Sequence, residues 1–264
     1  MKALTFIVRF RTAQFKQHYQ KLARRTYLIP PPSAVAGIFG AILGVPWNQL
    51  KEFCSKHGVR AGAELRSLEG YYVTISRIFK FDQERSSREG ILRLLRDYWS
   101  GSSKAYYDML GLRPLKESEE LFRPEYKLAI AAKDGVVEEG LRRLRNLDFE
   151  YEIFGGNDYH FVEYVGDAQE AEFVRSAEGV GYCPAEHVLQ IRAQGRRYEV
   201  VCNTELLVSR RSSLPLVVSA PVGPGLEYFT FVYRAVIVAK SEIDAVRDRE
   251  SVIFVYDPSR YLVP

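Results

Sequence analysis

Apolar and polar positions alternate over residues 3–10, with Leu4, Phe6, Val8 and Phe10 on one side and Thr5, Ile7 and Arg9 on the other. That period of two predicts a strand. A different pattern follows Tyr27, where Pro30, Pro31 and Pro32 impose an extended entry and remove three backbone donors. Ser33 is placed to cap a helix, apolar residues run from Ala34 to Leu43, and Gly44 is placed as its left-handed C-terminal stop. The small residues of this helix form two rows, Ala36, Gly40 and Gly44 along one and Ser33, Gly37 and Ala41 along the next. Each interior glycine costs about 1 kcal/mol against alanine, so this face predicts close approach of another element or of a ligand.

Residues 47–57 read as a second helix with Trp47, Leu50, Phe53 and Cys54 on one side, ended by Gly58. Strand chemistry covers residues 70–81 and 126–132, separated by an insertion over residues 82–124 that holds a helix at 87–99. Residues 136–147 form an amphipathic helix with Val137, Leu141, Leu144 and Leu147 in one stripe, and residues 149–154 read as a strand. The expected fold class is α+β. Its N-terminal half is a ferredoxin-like, RRM-like βαββαβ unit over residues 1–154 with the insertion at about 82–124, and RNA-recognition domains share that topology.

The second half, residues 155–264, predicts a mostly antiparallel β subdomain with strands at 198–202, 205–209, 216–219, 228–238 and 252–256. No flexible linker separates the halves, so they are expected to pack as one unit.

Composition narrows the class. An apolar share of 47% with 13% aromatics describes a folded chain of 264 residues. Three cysteines, Cys54, Cys183 and Cys202, form no Cys-x-x-Cys pair, so neither a disulfide framework nor a zinc site is indicated and a reducing cytoplasm is expected. The N-terminus shows no signal-peptide pattern. The apolar run after Ser33 falls short of the roughly 20 residues that span a bilayer, so no membrane partner is expected.

The charge is unevenly placed. No acidic residue precedes Glu52, and Lys2, Arg9, Arg11, Lys16, Lys21, Arg24, Arg25 and Lys51 give +8 over the first 51 residues against a total of +4. The remainder therefore carries −4. Phe10, Phe15, Tyr19 and Tyr27 interleave with the cations, as they do where cations meet phosphates and rings meet bases. A second motif, Phe154-Gly155-Gly156-Asn157-Asp158-Tyr159-His160, permits positive φ at successive positions. It reads either as a turn joining the halves or as a contact to an RNA backbone.

These motifs together, the run from Tyr27 to Gly44 with its Pro-Pro-Pro-Ser-Ala-Val-Ala-Gly core, the glycine turn and the βαββαβ layout, resemble the CRISPR-associated proteins of Cas family five. That family lies in the RAMP superfamily and supplies subunits of type I Cascade, an antiviral complex. The resemblance implies an RNA-binding subunit that holds the 5′ handle of the CRISPR RNA, caps the backbone RAMP subunits and touches the large subunit. The insertion would match the family's thumb-like projection.

Arg11, Lys21, Arg24 and Arg25 are the expected phosphate contacts, the helix start at Ser33 an anion contact, and Tyr27 or Tyr19 a stacking ring. Gly155, Gly156, Asn157 and Tyr159 would form the opposite wall. One branch of the family cleaves repeat RNA without a metal, which needs a base for the 2′-OH and a cation for the developing charge. The alternative catalytic set is His18, Tyr19 and Lys21, with His160 beyond the turn; no cofactor or metal site is expected.

Overall fold

The computed structural model describes residues 1–17, 24–77, 88–103, 115–156, 159–193, 199–201 and 216–262. The chain opens with β1 (Lys2–Phe10), two short strands β2 (Thr12–Ala13) and β3 (Phe15–Lys16), and β4 (Thr26–Tyr27). Helices α1 (Pro32–Leu43) and α2 (Trp47–His57) follow, bent by 99° across the break at Gly44. Gly44 has φ 79°, as its C-terminal position demands, and Pro31 rather than Ser33 caps the start, with no side-chain cap bond.

After α2 come β5 (Arg60–Ser67), β6 (Gly70–Arg77), α3 (Arg88–Trp99), β7 (Leu115–Phe122), β8 (Glu125–Ala132) and α4 (Asp134–Asn146). The rest is strand-rich: β9 (Val162–Gly179), β10 (Tyr182–Pro184), β11 (Val188–Ala193), β12 (Glu199–Val201), β13 (Leu216–Val222), β14 (Glu227–Tyr233), β15 (Ala235–Arg247) and β16 (Val252–Phe254). The molecule is mixed α and β with mainly antiparallel sheets. Among the described residues no single helix is long and apolar enough to cross a membrane.

The main sheet has the order β11-β15-β9-β1-β8-β5, with β16 paired to β15. β1 lies at its middle and is buried on both faces. Leu4, Phe6, Val8 and Phe10 join the core with Val35, Phe39, Val137 and Leu141 from α1 and α4. Ala3, on the other face, lies with Ala129 and Ala131 under Val246, Ile253 and Val255. Lys127 is buried there and meets Asp248 at 2.9 Å and Glu250 at 2.6 Å, fastening the β15–β16 connection to the sheet.

Two strand expectations are corrected. The strand between α2 and the insertion that joins the main sheet is β5, paired to β8, and not residues 70–81. β5 is rich in small residues of low strand propensity, and they are needed: a Cβ on Gly62 would lie 2.0 Å from the Phe254 carbonyl oxygen. β6 instead pairs along its whole length with β7, inside the expected insertion, in a sheet ordered β2-β7-β6.

Residues 149–154 form no strand beyond a bridge from Phe154 to Phe161, and β9 takes the place expected of them beside β1. β9 has no fully buried face over most of its 18 residues. A ladder to β1 over residues 162–171 and a ladder to β15 over residues 172–179 hold it, so local alternation does not reveal it. A bulge where Asp167 adopts φ 52° shifts its register against Thr5 and Ile7.

A second sheet, β10-β14-β13-β12, stacks Tyr182, Phe229 and Phe231 into the same core as α1. The expected strand over 228–238 is split at Arg234, which has φ 56°, and the expected strand at 205–209 lies outside the described residues.

Candidate nucleic-acid interface

The basic N-terminal segment is held in place by buried polar groups. The Gln14 side chain, fully buried, donates to Ser118 Oγ at 2.6 Å and to the Glu119 carbonyl at 2.8 Å. Gln17 donates to the Thr26 carbonyl at 3.0 Å, and the Thr26 amide donates to the Glu119 carboxylate at 3.1 Å. β3 and β4 thereby form a small ribbon, Phe15 opposite Tyr27, tied to β7. Buried polar groups satisfied in this way fix one register for the segment.

The glycine turn docks on this ribbon. Gly155 donates to the His160 carbonyl at 2.7 Å and accepts from the Gln14 amide at 2.7 Å. Gly156 has φ 108°, and a Cβ there would lie 1.9 Å from the Gln14 carbonyl oxygen. Only glycine fits so close an approach in that conformation. His160, buried, meets Thr12 Oγ1 through Nδ1 at 2.7 Å, while its Nε2 is buried without a hydrogen-bond partner among the described residues. Burial pushes its imidazole pKa down, opposed by the Glu120 carboxylate.

Between this assembly and α1 lies a cavity of about 450 Å³, lined by Lys16, Gly37, Ala41, Trp47, Glu152 and Gly156 among others. The two small-residue rows of α1 therefore have different surroundings. A Cβ on Gly40 would meet Leu50 of α2 at 2.9 Å, whereas Ser33, Gly37 and Ala41 border the cavity.

The expected site residues divide. Arg11 is exposed, at the turn from β1 to β2. Arg24 is half-buried; its backbone bridges Glu117 and Glu119, and its Nε lacks a hydrogen-bond partner among the described residues. Arg25 sits 3.7 Å from the buried Glu119 carboxylate, so its charge is balanced within the fold. Tyr27 is in the core and not on the surface, which corrects the expectation that it stacks on a base. Tyr159 is exposed, its ring 4.3 Å from that of His160. His18, Tyr19, Lys21 and Asn157 lie outside the described residues.

Ser33 is half-buried in the first turn of α1 and borders the cavity. That turn is a poorer anion site than expected, because Pro31 and Pro32 carry no N–H and the Ala34 and Val35 amides both bond the Pro31 carbonyl, at 2.9 and 3.1 Å. Trp47, expected on one side of α2 with Leu50 and Cys54, is 64% exposed and lines the cavity, whereas those two are buried.

Residues 3–199 match the profile of a family described as "CRISPR-associated protein (Cas_Cas5)". The chain belongs to this family. No curated protein matches it. A CRISPR protein from Archaeoglobus fulgidus is similar in structure at 14% identity and a TM-score of 0.43, covering 96% of this chain and 99% of that one. A chain of a CRISPR RNA-guided surveillance complex is similar at 13% identity and a TM-score of 0.41, covering 91% of both. A crystal structure of a Cas protein, at 12% identity and a TM-score of 0.36, is matched over 60% of this chain, which spans 58% of that protein's length.

Proposed function

We propose that this family member is a cytoplasmic RNA-binding subunit of a type I Cascade complex that holds the 5′ handle of the CRISPR RNA without cutting it. It would contact the backbone RAMP subunit and the large subunit. The observation that carries the reading is that Gln14, Phe15 and Lys16 of the acid-free segment border one open groove with α1, with the glycine turn docked against them. Exposed Lys16 lines the groove, exposed Arg11 and half-buried Arg24 are further cations of the same segment, and Tyr159 is an exposed ring beyond the glycine turn. Single-stranded RNA needs this pairing of cations for phosphates and apolar surface for bases.

The scaffold beneath the groove is, in this reading, ferredoxin-like. Its four strands lie in the order β9-β1-β8-β5, with α1 and α2 between β1 and β5 in sequence and α4 between β8 and β9.

The test is a titration of end-labelled repeat RNA at several salt concentrations. Log affinity is expected to fall with log salt by about 0.7 per contacted phosphate, and Arg11→Ala with Arg24→Ala is expected to weaken binding and flatten that slope. Unchanged affinity and slope would reject the interface. The same RNA, incubated with the protein in EDTA and run on a denaturing gel, is expected to stay intact. Cleavage at a single site would instead make the chain a metal-independent endoribonuclease.

A further inference from the structure

We infer that the groove under Trp47 is a nucleobase pocket, in which one base of a single-stranded RNA stacks on the indole over the open row of α1. The inference rests on the RNA-binding reading above and names what occupies the groove.

Trp47 is the first residue of α2, directly after its N-cap Pro46, so backbone geometry and not core packing sets its position. An indole that is 64% exposed keeps a large apolar surface in water beside the cavity. Gly37 lies beneath it: a Cβ there would be 3.8 Å from the ring carbon Cζ3, and any longer side chain would enter the cavity. At about 450 Å³ the space lies within the roughly 300–1,000 Å³ typical of small-ligand sites.

The charges on the lining separate a base from a phosphate as occupant. Lys16 and Glu152 both line the cavity and both are exposed. A phosphate inside would face the Glu152 carboxylate, and the proline-capped start of α1 offers it few amide donors. A base presents a flat apolar face to Trp47 and Gly37 and can donate its edge N–H groups to Glu152. The phosphates on either side then remain outside, near exposed Lys16.

The chain has two tryptophans, Trp47 and Trp99, and Trp99 is 77% exposed, so Trp99→Phe makes Trp47 the sole indole reporter without disturbing a core. In that variant, single-stranded repeat RNA is expected to quench the fluorescence saturably, and an abasic ribose-phosphate strand of equal length is not. Trp47→Ala is expected to weaken RNA binding about 5- to 150-fold, and Trp47→Phe to retain most of the affinity.

If the protein binds RNA but Trp47→Ala binds equally well and the indole is not quenched, the pocket assignment fails and the RNA-binding reading stands. If the abasic strand quenches as strongly as RNA, a phosphate occupies the groove and the assignment also fails. If the unmodified protein binds no RNA at any salt concentration, both fail together.

Discussion

Tyr27 donates its hydroxyl to the Pro221 carbonyl at 2.6 Å, and its ring lies 5.7 Å from that of Phe231. One short strand of the basic segment is thereby fastened to the second sheet, so the geometry of the groove depends on residues near the other end of the chain. Tyr27→Phe keeps the ring and removes the donor, leaving a buried carbonyl without it. The variant is expected to lose about 1–3 kcal/mol of stability in denaturant unfolding. Its RNA affinity at low temperature should be unchanged; lost affinity with unchanged stability would instead place the hydroxyl at the RNA.

Gly156 carries two separable burdens, its positive φ and its contact with Gln14. Gly101 has only the first, at φ 83° with nothing within 4 Å of an added Cβ. Gly101→Ala is therefore expected to cost about 1 kcal/mol and Gly156→Ala at least about 3 kcal/mol, both read from unfolding midpoints. Equal costs would show that the turn yields without strain and that Gln14 does not define its position.

His160 predicts a pH dependence with a definite sign. Burial holds its native pKa below the unfolded value of about 6.5. Below that value the unfolded chain takes up a proton that the native imidazole, against Thr12, does not. Stability is thus full above about pH 6.5 and falls as the pH drops through it, by up to about 1.4 kcal/mol per unit, until the native value is reached. Melting temperatures between about pH 8 and pH 5 should fall more steeply for the wild type than for His160→Gln. Parallel curves would mean that His160 keeps an ordinary pKa in the fold.

What the sequence made legible was whatever carries its own period. β1, β8, α1, α2 and α4 follow their apolar spacing to within a few residues. β5 and β9 did not declare themselves, since one is built from small residues under a crossing backbone and the other is held by a ladder to β1 along its first half and to β15 along its second.

Tyr27, expected to stack on a base, is buried, and Trp47, which helical spacing groups with the buried Leu50 and Cys54, is exposed. Helical spacing reveals which residues share a side of α2 but not whether anything lies opposite, and the cavity is opposite Trp47. Charge alone, likewise, cannot separate Arg25 from Arg11. The carboxylate that engages Arg25 belongs to Glu119, which the chain supplies only in β7.

The central position of β1 has a consequence for synthesis. Its two neighbours are β8, which begins at Glu125, and β9, which begins at Val162. β1 leaves the ribosome before either and must wait for both, with Leu4, Phe6 and Val8 uncovered and two unpaired edges open to other chains. A strand made before both of its partners is protected only after them, which places the greatest demand on chaperones before residue 171 has emerged.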